Sequence, residues 1–285
     1  MNNSPLRYPG GKHKLFKFVR QQIIENGCTV YIEPFCGGAA VALELLRTGI
    51  VERIILNDFD RSIYCLWKVI LEAPDDLIKR IEETPVTIEE WRRQKDVRTD
   101  LEGLSDLDVA FSTLFLNRTN RSGIIDKAGP IGGKDQAGKY KLDCRFKKDK
   151  LIKKIRLIHS MKDRIQIFNL ESRQFLNEVI LPEKNSFTFF DPPYFQKGRE
   201  LYSDYLNEKG HQELSQKIIQ ELKDYKWIVT YDNAPEIREM YSEVSCKEYI
   251  LQYTLQTKVK ATELMVFSPA LKQPIKSVDL TFICV

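Results

Sequence analysis

Asp191, Pro192, Pro193 and Tyr194 stand together at the end of an apolar run, "FTFFDPPYF" (187–195), and their types already narrow the chemistry. Proline fixes φ and lacks a backbone donor, so a buried strand must stop here and leave its acid and its tyrosine on a stiff exit. An aspartate oxygen and the carbonyl of the following proline can together accept both hydrogens of an exocyclic amine. That draws the nitrogen lone pair out of conjugation with a ring and makes the amine a nucleophile. The face of Tyr194, rather than its hydroxyl, is expected to stack on a planar heterocycle, a contact worth ~1–3 kcal/mol. A base in a duplex would first have to be flipped out. Taken by itself the tetrapeptide is also readable as an ordinary stiff turn.

Three further stretches carry candidates. "EPFCGGAA" follows a first strand and enters a helix, so Gly37 and Gly38 let the backbone bend closely around a ligand; a turn that serves only helix–strand packing reads the same way. It is not a phosphate loop, because neither G-x-x-x-x-G-K-S/T nor G-x-G-x-x-G is present. Asp58 ends the next strand, where a carboxylate commonly receives ribose hydroxyls, or else caps the helix that starts near Arg61. In "RYPGGKHKL" a glycine pair beside Lys12 can bring backbone donors and a cation to a carboxylate, and a basic arm touching nucleic acid would look similar. Glu33, Asp58 and Asp191 thus fall at three strand ends, where ligands of doubly wound sheets sit.

The elements that must position these residues are α/β in texture. "TVYIEP" (29–34), a helix over "GGAAVALELLRTG" (37–49) and "ERIILND" (52–58) make a βαβ unit. "RIQIFN", "SFTFFD" and "KWIVTYD" (226–232) supply later strands, with a helix over "GHQELSQKIIQELKDY" before the last. Between the two halves, helical patterns ("SIYCLWKVILEA", "IEEWRRQ", "DLDVAFSTLFLNR") give way to a glycine- and lysine-rich stretch through Phe146. The expected organisation is therefore a core formed by 1–60 and 162–285, interrupted at 61–161 by a mainly helical insertion.

Composition sets the partners. The 285 residues are 42% hydrophobic and 29% charged, with no apolar run long enough for a membrane span and no apolar h-region at the N-terminus, so a cytoplasmic protein without a membrane partner is expected. Cys28, Cys36, Cys65, Cys144, Cys246 and Cys284 form no C-x-x-C pair, which leaves free thiols, and with three histidines no metal site is expected. The net charge is only +4, yet residues 141–164 hold ten Lys or Arg against three Asp, a pattern that suits a polyanion or, more simply, a solvated helix face.

In order along the chain, "RYPGGK", "IEPFCGGAAV", "LNDFD" and "FFDPPYF" resemble the Dam-like (D12 class) family of DNA adenine-N6 methyltransferases. The resemblance covers nearly the whole sequence. It implies a Rossmann-like methyltransferase sheet with helices on both faces plus an inserted target-recognition domain. Carried over residue by residue, it implies S-adenosylmethionine contacts at Tyr8, Gly10, Lys12, Glu33, Phe35, Gly37, Asp58, Glu171 and Asp191. Asp191, Pro192, Pro193 and Tyr194 would then act on the target adenine. "LNRTNRSGI" (116–124) and the loop after it resemble the family's DNA-reading region, which assigns Asn117, Arg118, Asn120, Arg121, Lys134, Lys139 and Arg145 to double-stranded DNA. A cognate restriction endonuclease as partner and a monomer or weak dimer complete the expectation. The competing readings are cytosine-N4 methylation, which uses similar amine chemistry, and a DNA-binding module that has lost catalysis.

Overall fold

A computed structural model describes residues 2–7, 12–196, 206–252, 260–272 and 280–283. The chain folds as two compact units, one of residues 1–11 and 58–169, the other of residues 12–57 and 170–285. The first eleven residues therefore group with the middle of the chain and not, as the sequence suggested, with residues 12–57. For residues 4–7 the reason lies in their backbone partners, the Asn117, Arg118 and Lys154 side chains.

Among the described residues, the second unit is a mixed α/β layer of seven strands. These are β1 (Val30–Glu33), β2 (Arg53–Asn57), β4 (Ser186–Phe190), β5 (Lys226–Asp232), β6 (Ser245–Gln252), β7 (Lys260–Phe267) and β8 (Phe282–Ile283). They lie in the order β2-β1-β4-β5-β7-β6-β8. The first four run parallel, with Glu33 beside Leu56, Ile32 beside Thr188 and Phe190 beside Val229. β7 then enters antiparallel to β5, pairing Glu263 with Asp232 and Met265 with Thr230. The chain leaves β1 for β2 on one side and resumes with β4 on the other, so the strand order reverses between β1 and β4, the place where such sheets bind ligands. The strands form because Tyr31, Ile32, Ile54, Leu56, Phe187, Phe189, Trp227, Ile228 and Val229 are all buried, as expected of parallel strands covered on both faces.

Helix α1 (Phe16–Asn26) ends on Gly27 at φ +66, a left-handed cap that glycine takes without strain. α2 (Ala40–Arg47) begins three residues later than the sequence pattern suggested, because Gly37 and Ala39 adopt φ of +43 and +44 and keep the chain out of the helix. α8 (Ser172–Phe175), α9 (Glu208–Glu221, capped by Asn207) and α10 (Pro235–Met240) follow later in this unit.

The first unit is helical: α3 (Arg61–Glu72), α4 (Pro74–Glu83), α5 (Ile88–Val97), α6 (Asp106–Thr119) and α7 (Lys148–His159), with the short strand β3 (Ile165–Phe168). Its starts are written locally. Thr87 receives the Glu90 N–H and Ser105 the Asp108 N–H, and acids occupy the first turns of both helices, where they complement the helix dipole. Asp60, not Asp58, caps α3 by accepting from the Ser62 N–H at 2.8 Å. α4, α7 and the β6–β7 pair come in addition to the elements that the sequence patterns suggest. Between α6 and α7 the glycine-rich stretch is tied by one side chain: Gln136 donates to the carbonyls of Ile131 and Gly133 and accepts from the Leu142 N–H.

Candidate active site

In the second unit, Asp191 leaves the carboxyl end of β4 and meets two donors on the same oxygen. Thr230 Oγ1 of β5 donates to Asp191 Oδ1 at 2.6 Å, and Lys12 Nζ lies 3.1 Å from that oxygen. Lys12 is nearly buried, with 4% of its side chain exposed, and its ammonium also reaches Glu263 Oε2 at 3.4 Å. Tyr194 OH donates to Glu263 Oε1 at 2.8 Å and accepts from Lys12 Nζ at 3.1 Å. Tyr249 OH closes the group with a hydrogen bond to Glu263 Oε2. The Asp191 side chain retains 27% exposure, so one acid of the cluster stays open while the other is enclosed.

The stiff exit is braced at both ends. Asp232, two residues beyond Thr230 on β5, accepts from the backbone N–H groups of Phe195 and Gln196 at 2.8 and 3.0 Å. Residues 191–196 are thereby held to one strand at their start and finish, with Pro192 buried and Pro193 half-buried between. Neither Thr230 nor Asp232 was legible as a partner, since both lie in "KWIVTYD" and read simply as the polar positions of a strand.

The electrostatics follow from this packing. Burial raises the Asp191 pKa and the Glu263 charge adds to the rise, while Lys12 and the Thr230 hydroxyl oppose it. Glu33, at the end of β1, is pushed up to about 8, chiefly by burial and further by Asp191, although the Tyr31 hydroxyl donates to it at 2.9 Å. A buried carboxyl this high has room for a cationic ligand, whose charge would restore its ionised form.

Around β1 the bend is fixed by Asn57. Its Nδ2 donates to the carbonyls of Pro34 and Leu170, both at 3.0 Å, its Oδ1 accepts from the Leu170 N–H at 2.9 Å, and its own carbonyl accepts from the Cys36 N–H at 2.8 Å. Asn57 thus ties the Pro34–Gly37 loop to the backbone just before Glu171. Phe35 is half-buried and Gly37 is buried. Glu171 caps α8 and pairs with Arg173; burial raises its pKa, and the Ser172 and Arg173 donors overcome that to lower it. The sequence showed Asn57 only as the residue before Asp58.

One expectation changes in this unit. The Tyr194 hydroxyl bridges Lys12 and Glu263, so it is engaged and not idle beside the ring face. The Lys12 ammonium, which the resemblance assigns to the cofactor, meets two carboxylates of the chain itself. Tyr8 and Gly10 lie outside the described residues.

In the first unit, Asp58 accepts from the Asp60 N–H at 3.1 Å, and the cap of α3 belongs to Asp60, which removes the helix-cap alternative for Asp58. Among the residues expected to touch DNA, three are buried framework. Asn117 both accepts from the Arg7 N–H and donates to the Arg7 carbonyl, at 2.7 and 2.9 Å, and also donates to the Gly123 carbonyl. Arg118 donates to the Pro5 carbonyl at 2.6 Å, and burial lowers its pKa to about 10. Asn120 accepts from the Trp91 indole and donates to the carbonyls of Ile124 and Ile125. These side chains satisfy backbone that would otherwise be orphaned, and so do not face a ligand. They also hold residues 4–7 to this unit, together with Lys154, which donates to the Ser4 carbonyl at 2.7 Å. Gly123, at φ +80, completes the seat, because a Cβ there would collide with the Arg7 carbonyl oxygen. Arg121, Lys134, Lys139 and Arg145 are exposed, as is Tyr140.

The model of the D12 class N6 adenine-specific DNA methyltransferase family matches residues 8–255. The chain belongs to that family. It is accordingly an enzyme, and its sheet is consistent with the Rossmann-like fold of methyltransferases. Among curated proteins it is similar to the Type II methyltransferase M.MjaIII of Methanocaldococcus jannaschii, at 26% identity over 205 residues that cover 66% of this chain and 68% of the relative. Among solved structures it is similar to an uncharacterised protein from Listeria monocytogenes serotype 4b, at a TM-score of 0.41 and 10% identity, with 93% of this chain and 71% of that one covered.

Proposed function

We propose that this D12-class enzyme transfers a methyl group from S-adenosylmethionine to N6 of adenine in duplex DNA. The observation that carries the reading is Asp191: an open carboxylate at a strand end, followed by a buried proline, with one oxygen fixed by Lys12 and Thr230. Oδ2 takes neither of those donors, and with the Pro192 carbonyl it offers two acceptors for the two hydrogens of an exocyclic amine.

S-adenosylmethionine, when bound, supplies a methyl group already activated on a sulfonium, so alignment is the main task left to the protein. Glu33 fits such a ligand because its buried carboxyl, lifted to about 8, gains from a positive neighbour. Gly37 at positive φ brings backbone close without a side chain, Phe35 offers apolar surface, Asp58 would take ribose hydroxyls, and Glu171 the adenine edge. Tyr8 and Gly10 would add contacts from the "RYPGGK" stretch. Lys12 serves the methyl acceptor through Asp191. It favours the ionised carboxylate that polarises N6, and Tyr194 covers the base.

DNA contact on this reading falls to the exposed cations Arg121, Lys134, Lys139 and Arg145, with Asn117, Arg118 and Asn120 shaping the loop that carries them. The 61–161 insertion would serve as the target-recognition domain. Incubating the protein with methyl-labelled S-adenosylmethionine and unmethylated bulk genomic duplex, then digesting to nucleosides, tests the proposal. Label in N6-methyl-2′-deoxyadenosine is expected; label in N4-methyl-2′-deoxycytidine, or none, would overturn it.

A further inference from the structure

Glu263 lies on β7, beyond the residues matched to the family, yet three donors converge on its two oxygens: Tyr194 OH on Oε1 at 2.8 Å, and Tyr249 OH and Lys12 Nζ on Oε2. It is 3% exposed. Three convergent donors call for an acceptor-only group, which is the ionised carboxylate and neither the acid nor an amide. The position is set by the sheet. β7 runs antiparallel to β5, so its beginning reaches the carboxyl ends of the parallel strands, and Glu263 pairs with Asp232 on one side and Tyr249 on the other. An acid in the otherwise apolar "ELMVF" is thereby delivered into the layer where Asp191 leaves β4.

We infer that Glu263 is a positioning residue for methyl transfer: it anchors Lys12 and the Tyr194 hydroxyl, and through them fixes the Asp191 carboxylate and the Tyr194 ring. The inference rests on the proposed function, since it presumes that Asp191 and Tyr194 grip the target base. Lys12 is shared between two carboxylates, so removing the Glu263 charge would take away one of the two acids that hold its ammonium and the acceptor that the Tyr194 hydroxyl has on Glu263. Thr230 would still hold Asp191, but the Lys12 ammonium and the Tyr194 ring would be less firmly placed against it.

Glu263→Gln and Tyr194→Phe, singly and together, test the idea with labelled S-adenosylmethionine and unmethylated bulk genomic DNA. A glutamine NH2 would face one of the three donors, so the preorganised geometry is lost with little change in volume. We expect kcat to fall by about 10- to 100-fold, the lower part of the range for a preorganised polar contact, with both KM values within about threefold. The double variant should fall no further than the worse single one, because both act through one unit. The pH–rate profile is the second readout. Asp191 is faced by Lys12, Glu263 and Thr230, by Glu33 and Tyr31 on β1, and by Tyr231 on β5. Removing the Glu263 charge should move the acidic limb to lower pH. Wild-type kcat with an unmoved acidic limb in a Glu263→Gln protein of native circular dichroism would overturn the inference, as would full additivity with Tyr194→Phe. Should Glu263→Gln not fold, Tyr249→Phe, which removes a single donor to Glu263, carries the test, and an unchanged kcat there is equally adverse. If the unaltered enzyme itself yields no N6-methyl-2′-deoxyadenosine, the proposed function fails first and takes this inference with it.

Discussion

Two polar clusters sit at the ends of buried elements, and they behave oppositely. At the end of α6, Asn117, Arg118 and Asn120 have mainly backbone carbonyls and N–H groups of their own unit as partners, with the Trp91 indole the one side-chain donor to Asn120 among the described residues. At the end of β4, Asp191 has side chains as partners, Thr230 and Lys12, and keeps a quarter of its side chain open. The first arrangement closes a structure and leaves little polar capacity over. The second leaves a carboxylate oxygen available in a partly desolvated place, where electrostatic contacts are stronger than in water. Polar residue types at an element's end therefore do not reveal function; what their partners are does.

The sharpest way to break that comparison is Asp191→Ala. Removing the open acceptor should lower single-turnover methylation by a factor of ~10²–10³, the scale of about 2–4 kcal/mol for a preorganised polar contact, while cofactor binding by calorimetry falls far less. Normal turnover from a folded variant would return the "DPPY" stretch to the status of a stiff turn. Asn117→Ala probes the other cluster. It strands the Arg7 N–H and the Arg7 and Gly123 carbonyls, so urea unfolding should show a loss of about 2–3 kcal/mol. A large drop in DNA affinity at unchanged stability would show instead that Asn117 faces DNA.

A smaller effect sharpens the contrast between a satisfied acid and one awaiting a ligand. If Glu33 titrates at about 8 in the free protein and a cationic ligand favours its ionised form, binding must release a proton below that pH. Affinity for S-adenosylmethionine should then rise as pH increases from 6 toward 8 and flatten above, by up to about tenfold per unit. Glu33→Gln should flatten the whole profile, and a calorimetric titration at several pH values reads both. The smallest changes are expected at Arg121 and Lys139. Each is exposed, so alanine should alter stability by less than about 0.5 kcal/mol. If each meets a phosphate, the log–log salt slope of DNA binding should shrink by about 0.9 per residue removed.

The strands and the acids at their ends are legible in the sequence. "TVYIEP", "ERIILND", "SFTFFD" and "KWIVTYD" are short apolar runs with abrupt polar stops, and alternation, proline and glycine act over a few residues, so they can be read locally. The order of "RYPGGK", "IEPFCGGAAV" and "FFDPPYF" also carried the family. Tertiary structure alone decided which charge meets which. Lys12 reaches Asp191 and Glu263 across 179 and 251 residues, a separation that periodicity cannot span. It also decided that Arg118 and Asn120 are buried and Arg121 is not, because burial depends on what packs against a helix end rather than on the residue types within it. Glu263 read as one polar position in a strand until the antiparallel return of β7 set it against β5, and chain direction within a sheet is a property of the whole fold.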